Sequence, residues 1–452
     1  MYYRSCHCDD STKHTMANLT VSKTSDCFER EGKRFFYLAD AVWPALAKIS
    51  FAEWEEYLEY RKTQGFNVLQ IWMQNRSIFG NCPAAFRFDA QGNPDYYTMD
   101  EEYFERARKI LAIAVQKGFI PALAVLWSDK VKDTWMSRQY KPDHIMPLDA
   151  VQRYAEYVAK AFAEFEPIYL VSGDTNFESE ETSQAYLIAL DTIKSICPDA
   201  LTTMHIWGDS SYLPDEIVQS RIDFYTYQSG HKRHLQHFAY QFAQDFYHLP
   251  VKRPIVNGEP CFEGLHGLLD WGEIEQARFS AFDVRKAIWS SLLSGAKAGV
   301  GYGAFGIWPW HTTNGPWWEH WLPGERPWEG AEYFGQPYPW KTALRFRGAW
   351  DASFAKWIFE TYNLFDIEPH SGISNKTDEI RMSTSADLDK VLIYIPCAVE
   401  VEVGLDLSDY DWTLVNLTDR DMAKPDIEVS KDSSTIKMHR FNSDVLAIGV
   451  RD

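Results

Sequence analysis

Eight apolar runs of strand length, separated by stretches of helical periodicity, constrain this chain more than any other feature. They are FFYLAD (35–40), NVLQIW (67–72), FIPALAVLW (119–127), PIYLVSGD (167–174), LTTMHIW (201–207), IDFYTYQ (222–228), RPIVNGE (253–259) and AKAGVGYG (296–303). Several show little polar alternation, as expected of parallel strands covered on both faces. Helix candidates lie between them: 50–65 capped by Ser50, 99–118, 148–165, 179–197, 214–220, 232–247 and 274–295. Strand–helix alternation eight times over predicts a closed (β/α)8 barrel. No GxGxxG loop follows the first run, which argues against an open dinucleotide-binding sheet.

The flanking texture differs. Residues 1–34 read as a tail and a β-hairpin turning near Glu31-Gly32, and 35–363 as the barrel. A Trp- and Pro-rich loop occupies 308–340, followed by helical periodicity over 341–363. From 364 to 452 short alternating strands separated by turns predict a smaller antiparallel β-sandwich.

Composition narrows the partners. With 45 Lys+Arg against 64 Asp+Glu the net charge is −19, which disfavours nucleic acid and anionic membrane surfaces. No continuous apolar stretch of about 18 residues occurs, and no apolar signal core precedes the first run. The expectation is a cytoplasmic protein whose seven scattered cysteines are reduced thiols.

Two acids at strand ends carry the chemistry. Asp174 closes the fourth run and Glu259 the seventh, and a barrel keeps its reacting groups at that C-terminal mouth. A carboxylate pair facing across the mouth is the minimal apparatus for cleaving a glycosidic bond. A gap of about 5–5.5 Å implies retention, and one of about 6.5–9.5 Å inversion. Gly173 is expected to let the chain turn before Asp174, and Asn176 to offer it a donor. Glu263 is a rival on the loop after Glu259.

Further strand-end residues are expected to bind substrate: Asp40, Gln74, Asp129, Lys130, His205, Tyr227, Gln228 and His231, with Tyr227 donating to Glu259. His231, His234 and His237 also fit the solvated face of a helix over 232–247. Aromatic residues make up 15% of the chain. Trp43, Trp72, Trp127, Trp207, Trp308 and Trp310 recur just after strand ends, where flat indoles suit the apolar face of a sugar ring. There is no HExxH and no GxSxG, so neither a metal nor a serine nucleophile is expected, and no cofactor.

These residues carry a resemblance. FFYLADAVWPAL followed by GFNVLQIW resembles the opening of the apiosidase-like glycoside hydrolases, VSGD their Gly-Gly-Asp segment, and NGEPCFEG their Asn-Gly-Glu-Pro segment. The likeness spans about 20–450. It implies a barrel followed by a β-sandwich, Asp174 as acid/base and Glu259 as nucleophile. Ser172 stands where Gly is usual, and Ala-Asp-Ala replaces Gly-Asp-Thr after the first run. The resulting expectation is a retaining, exo-acting hydrolase that releases a terminal sugar from an oligosaccharide or glycoside. An endo-acting glucanase and a carbohydrate-binding protein without turnover are the alternatives.

Overall fold

All eight runs form parallel strands in the computed structural model, which describes residues 18–74, 83–139, 144–268, 274–313 and 335–451. The strands are β1 (Tyr37–Ala41), β2 (Val68–Trp72), β3 (Ile120–Trp127), β4 (Ile168–Gly173), β5 (Thr202–Thr203), β6 (Tyr225–Gln228), β7 (Ile255–Glu259) and β8 (Gly299–Tyr302). They follow one another around a single sheet in the order 5-4-3-2-1-8-7-6, the circular order of a (β/α)8 barrel. Every residue of the eight is buried. This explains why the runs lack alternation: helices cover one face and the barrel interior fills the other.

Strand β5 is much shorter than the expected 201–207. The β5–β6 seam has no ladder, yet Asp223 N–H donates to the Thr202 carbonyl at 2.8 Å and Thr203 Oγ1 to the Phe224 carbonyl at 2.6 Å. Those bonds draw the barrel shut. The glycines of β8 answer a packing demand, since a Cβ on Gly301 would lie 2.0 Å from the Gly258 carbonyl oxygen.

Most helices begin where their caps predict. Ser50 and Glu53 form a reciprocal capping box at Phe51–Thr63, Asp100 caps Glu101–Gln116, and Ser179 caps Glu180–Ile196. The helix expected over 274–295 is shorter. Ile274–Arg278 pairs as a strand with His266–Leu268, and the Ser280–Asp283 capping box starts the helix at Ala281. The 232–247 stretch is likewise a 3-10 turn, Arg233–Leu235, then a helix over Phe238–Tyr247. His231 therefore precedes the helix and is free to face the barrel mouth.

The N-terminal hairpin joins Phe28–Arg30 to Lys33–Phe35. Glu31 and Gly32 both have positive φ, +54° and +72°, as a two-residue type I′ turn requires. Beyond the barrel, six antiparallel strands between Ile367 and Val450 form one sheet, and Val401–Val403, Ser433–Ile436 and Ile427–Ser430 form another. Ile393, Val403, Trp412, Leu414, Ile436 and Ala447 belong to the apolar core of this C-terminal part. Leu392, Tyr394, Leu446 and Ile448 instead join the core of the barrel. Arg285, on the 281–292 helix, is buried between Asp351 at 2.8 Å and Asp444 at 2.5 Å, pinning the two parts together. Among the described residues no helix is long and apolar enough to cross a membrane.

Candidate active site

Asp174 is the first residue past β4 and adopts a left-handed backbone, φ +52°, a region Asp enters more readily than most residues. Gly173 does not make this turn. It admits the neighbouring indole instead: a Cβ there would lie 2.3 Å from Trp127 Cε3. The Asp174 carboxylate accepts from Gln228 Nε2 at 2.7 Å, and its backbone carbonyl accepts from Trp135 Nε1 at 2.8 Å. Side chain and main chain are thus both held.

Glu259 ends β7 beside a register shift in the β6–β7 ladder between Tyr227 and Gln228. Its Oε1 accepts from His231 Nε2 at 3.0 Å. His231 Nδ1 in turn accepts from the Phe262 N–H at 3.3 Å. That bond assigns the proton to Nε2 and makes His231 the donor to Glu259.

His205, 1% exposed, sits beneath both acids. Its Nε2 lies 3.4 Å from Asp174 Oδ1 and 3.5 Å from Glu259 Oε2. Burial opposes a charged imidazole there, but the Asp174 hydrogen bond and the charges of Glu259 and Asp174 outweigh it. The His205 pKa is raised above the ordinary value. Two oxygens on one nitrogen can be no farther apart than the sum of those distances, about 7 Å.

Above the acids lies a cavity of about 180 Å³, small beside the roughly 300–1,000 Å³ that drug-sized ligands occupy. Asp174, Glu259, Gln228 and His231 line it, as do Trp43, Trp72, Trp127, Trp207 and Trp308. His205 completes the set from below. The expected residues not on this wall have other work. Asp40 faces outward from β1 and is buried against Tyr57 Oη at 2.6 Å and Arg61 Nε at 2.5 Å. Side chains alternate along a strand, so Ala39 and Ala41, not Asp40, share the opposite face.

Asp40→Ala would leave the buried Arg61 guanidinium without its counter-charge, which should cost about 3–5 kcal/mol of stability in a denaturant titration. The double variant Asp40→Ala/Arg61→Met should recover most of that loss. A cost within the scatter of surface substitutions would contradict the structural role.

Tyr227 also faces outward. Its hydroxyl donates to the Ala239 carbonyl at 2.8 Å among Phe242 and Phe246, not to Glu259. The residue that turns inward is its neighbour, Gln228. Asp129 and Lys130 lie on the 3-10 turn after β3 and pair with each other at 2.5 Å. Gln74 Oε1 braces the Trp127 N–H at 3.0 Å, and the Asn176 backbone N–H donates to Glu178 at 3.3 Å. Glu263 is buried off the cavity, accepting from Tyr302 Oη at 2.7 Å and the Gly348 N–H at 2.8 Å. Burial pushes its pKa up to about 7.

Sequence reasoning missed Trp135, Met136, Asp209, Lys232, Phe262, Leu265 and Leu268 on the cavity wall. All but Leu268, which ends the short His266–Leu268 strand, lie on loops beyond the barrel strands, where no periodicity marks them. Of the Trp- and Pro-rich 308–340 loop, 314–334 lies outside the described residues.

A family model described as "Apiosidase-like, catalytic domain" matches residues 22–366. A solved structure described as a glycoside hydrolase is 19% identical, with a TM-score of 0.78 over 96% of this chain and 97% of its own. A glycoside hydrolase family 5 structure from Bacteroides vulgatus ATCC 8482 is 18% identical, with a TM-score of 0.76 over 96% and 93%. At these identities the likeness is one of fold. No curated protein matches the chain.

Proposed function

This chain belongs to the apiosidase-like glycoside hydrolases, and from that premise we propose that it is a retaining, exo-acting enzyme releasing a terminal sugar from an oligosaccharide or glycoside. The observation that carries this reading is the common approach of Asp174 and Glu259 to one nitrogen of His205. The resulting ceiling of about 7 Å on those two oxygens leaves room for the retaining spacing of about 5–5.5 Å between the carboxyl groups. The small cavity favours a chain end over the middle of a polymer. All these groups come from the 35–363 segment, which we assign to catalysis.

In the first step Glu259 attacks the anomeric carbon while Asp174 gives its proton to the departing glycosidic oxygen. The C–O bond to the leaving group breaks as the ester to Glu259 forms. In the second step Asp174 takes a proton from water, whose oxygen displaces Glu259. His231 occupies Oε1 of the nucleophile, leaving Oε2 to attack, and Gln228 fixes the acid/base from the other side. Such support keeps reacting groups within reach of productive geometry.

The anomeric configuration of the first-formed product tests the reading. Proton NMR during turnover of the best nitrophenyl glycoside should show the substrate's own anomer before mutarotation. Initial appearance of the opposite anomer would overturn the double displacement.

A further inference from the structure

The six indoles on the cavity wall fall into two groups. Trp43, Trp72, Trp127 and Trp308 are 4%, 1%, 3% and 7% exposed. Three of them pack on one another, with Trp127 ring centroids 5.3 Å from Trp43 and 4.6 Å from Trp72. Little ring face remains for a ligand. Trp135 and Trp207 are only partly buried, and their centroids lie 4.3 Å apart at 55°. These two keep exposed indole surface and line the cavity.

Their position is specific. Trp135 donates to the main-chain carbonyl of Asp174, and Trp207 follows β5, beside the strand that Asp174 ends. Since the acid/base protonates the leaving oxygen, its side of the cavity is where the leaving group lies. On the same rim Asp209, two residues past Trp207, pairs with Lys232 at 2.7 Å, and both line the cavity. Exposed indole surface beside an ion pair matches a molecule with one C–H face and an edge of hydroxyls, which charged groups bond more strongly than neutral ones do.

We propose that Trp135 and Trp207, with Asp209 and Lys232, form a leaving-group subsite that takes a second saccharide ring. It rests on the hydrolase reading above, with Asp174 as acid/base. The ring lies on the indole pair and its hydroxyls engage the Asp209–Lys232 pair. Binding energy gained there, away from the reacting bond, lowers the barrier for glycosides that carry the ring.

Three substrates of the best-accepted sugar separate the terms: its glycosyl fluoride, with no leaving ring; its nitrophenyl glycoside, with a flat ring lacking hydroxyls; and a disaccharide. Trp207→Ala should lower kcat/KM on the disaccharide at least about tenfold more than on the fluoride. Trp207→Phe should restore most of that ratio, which an indirect folding defect would not. Asp209→Asn should penalise the disaccharide more than the nitrophenyl glycoside. Equal losses on all three substrates would overturn the subsite. A Trp207 loss confined to the nitrophenyl glycoside would overturn the saccharide assignment in favour of an aryl group. The hydrolase reading is checked separately by Glu259→Ala on the fluoride, because turnover surviving there would remove the nucleophile while leaving the substrate ratios readable.

Discussion

Glu259→Ala is expected to lose at least roughly 10⁴-fold in kcat/KM on every glycoside, because the proposed covalent intermediate forms on its carboxylate. The alanine leaves a hole on the attacking side of the anomeric carbon. Added azide should enter it and restore turnover on an activated substrate, giving a glycosyl azide of inverted configuration. The assignment draws on position: Glu259 ends β7, faces the cavity, and has Oε1 held by His231. Glu263, the nearest competitor, is bonded to Tyr302 and Gly348 away from the cavity, so Glu263→Gln should retain the covalent chemistry. A Glu259→Ala enzyme with near-native turnover would end the account of the nucleophile.

Asp174→Ala should behave differently, and the difference is diagnostic. Loss of a general acid costs about 10²–10⁴-fold where the departing oxygen needs a proton. The fall should therefore be steep on an unactivated disaccharide and much smaller on the fluoride or a dinitrophenyl glycoside. On these the glycosyl-enzyme accumulates, since its hydrolysis lacks a base, and azide then yields a product of retained configuration. Opposite azide stereochemistry in the two variants would distinguish their roles without any structure of a complex. Equal losses across all leaving groups for Asp174→Ala would assign Asp174 to binding instead.

The barrel was legible because its signal is long-range and redundant. Each of the eight runs needed only to be apolar and correctly spaced, and the capped starts at Ser50, Asp100 and Ser179 marked the intervening helices. Where the reading slipped, a tertiary contact outweighed the local pattern. The 274–278 segment looks helical alone but becomes a strand because 266–268 offers it an edge. Strand β5 is short because its end bends to bring His205 beside Asp174 and the Ile206 carbonyl to Gln228.

The site was legible at strand ends and obscure elsewhere for a related reason. The end of a strand is fixed by the ladder, so the placement of Asp174 and Glu259 at the barrel mouth could be read from position. The face a given residue turns is a matter of register, and one residue decides it. Asp40 and Tyr227 lie on the outward face, whereas Gln228 turns in after the shift beside Tyr227. His231 looked like one of three histidines on a helix, yet its chain leaves β6 before the helix begins. Trp135 carried no positional signal, since its place beside Asp174 depends on the path of the loop after β3.

The most direct test of the central claim is covalent trapping. A 2-deoxy-2-fluoro glycoside of the preferred sugar with a good leaving group should inactivate the enzyme with time, and peptide mass spectrometry should find the fluorosugar esterified to Glu259. Attachment to Glu263 or Asp174, or steady turnover of the reagent with inversion and no adduct, would contradict the pairing of Glu259 as nucleophile with Asp174 as acid/base.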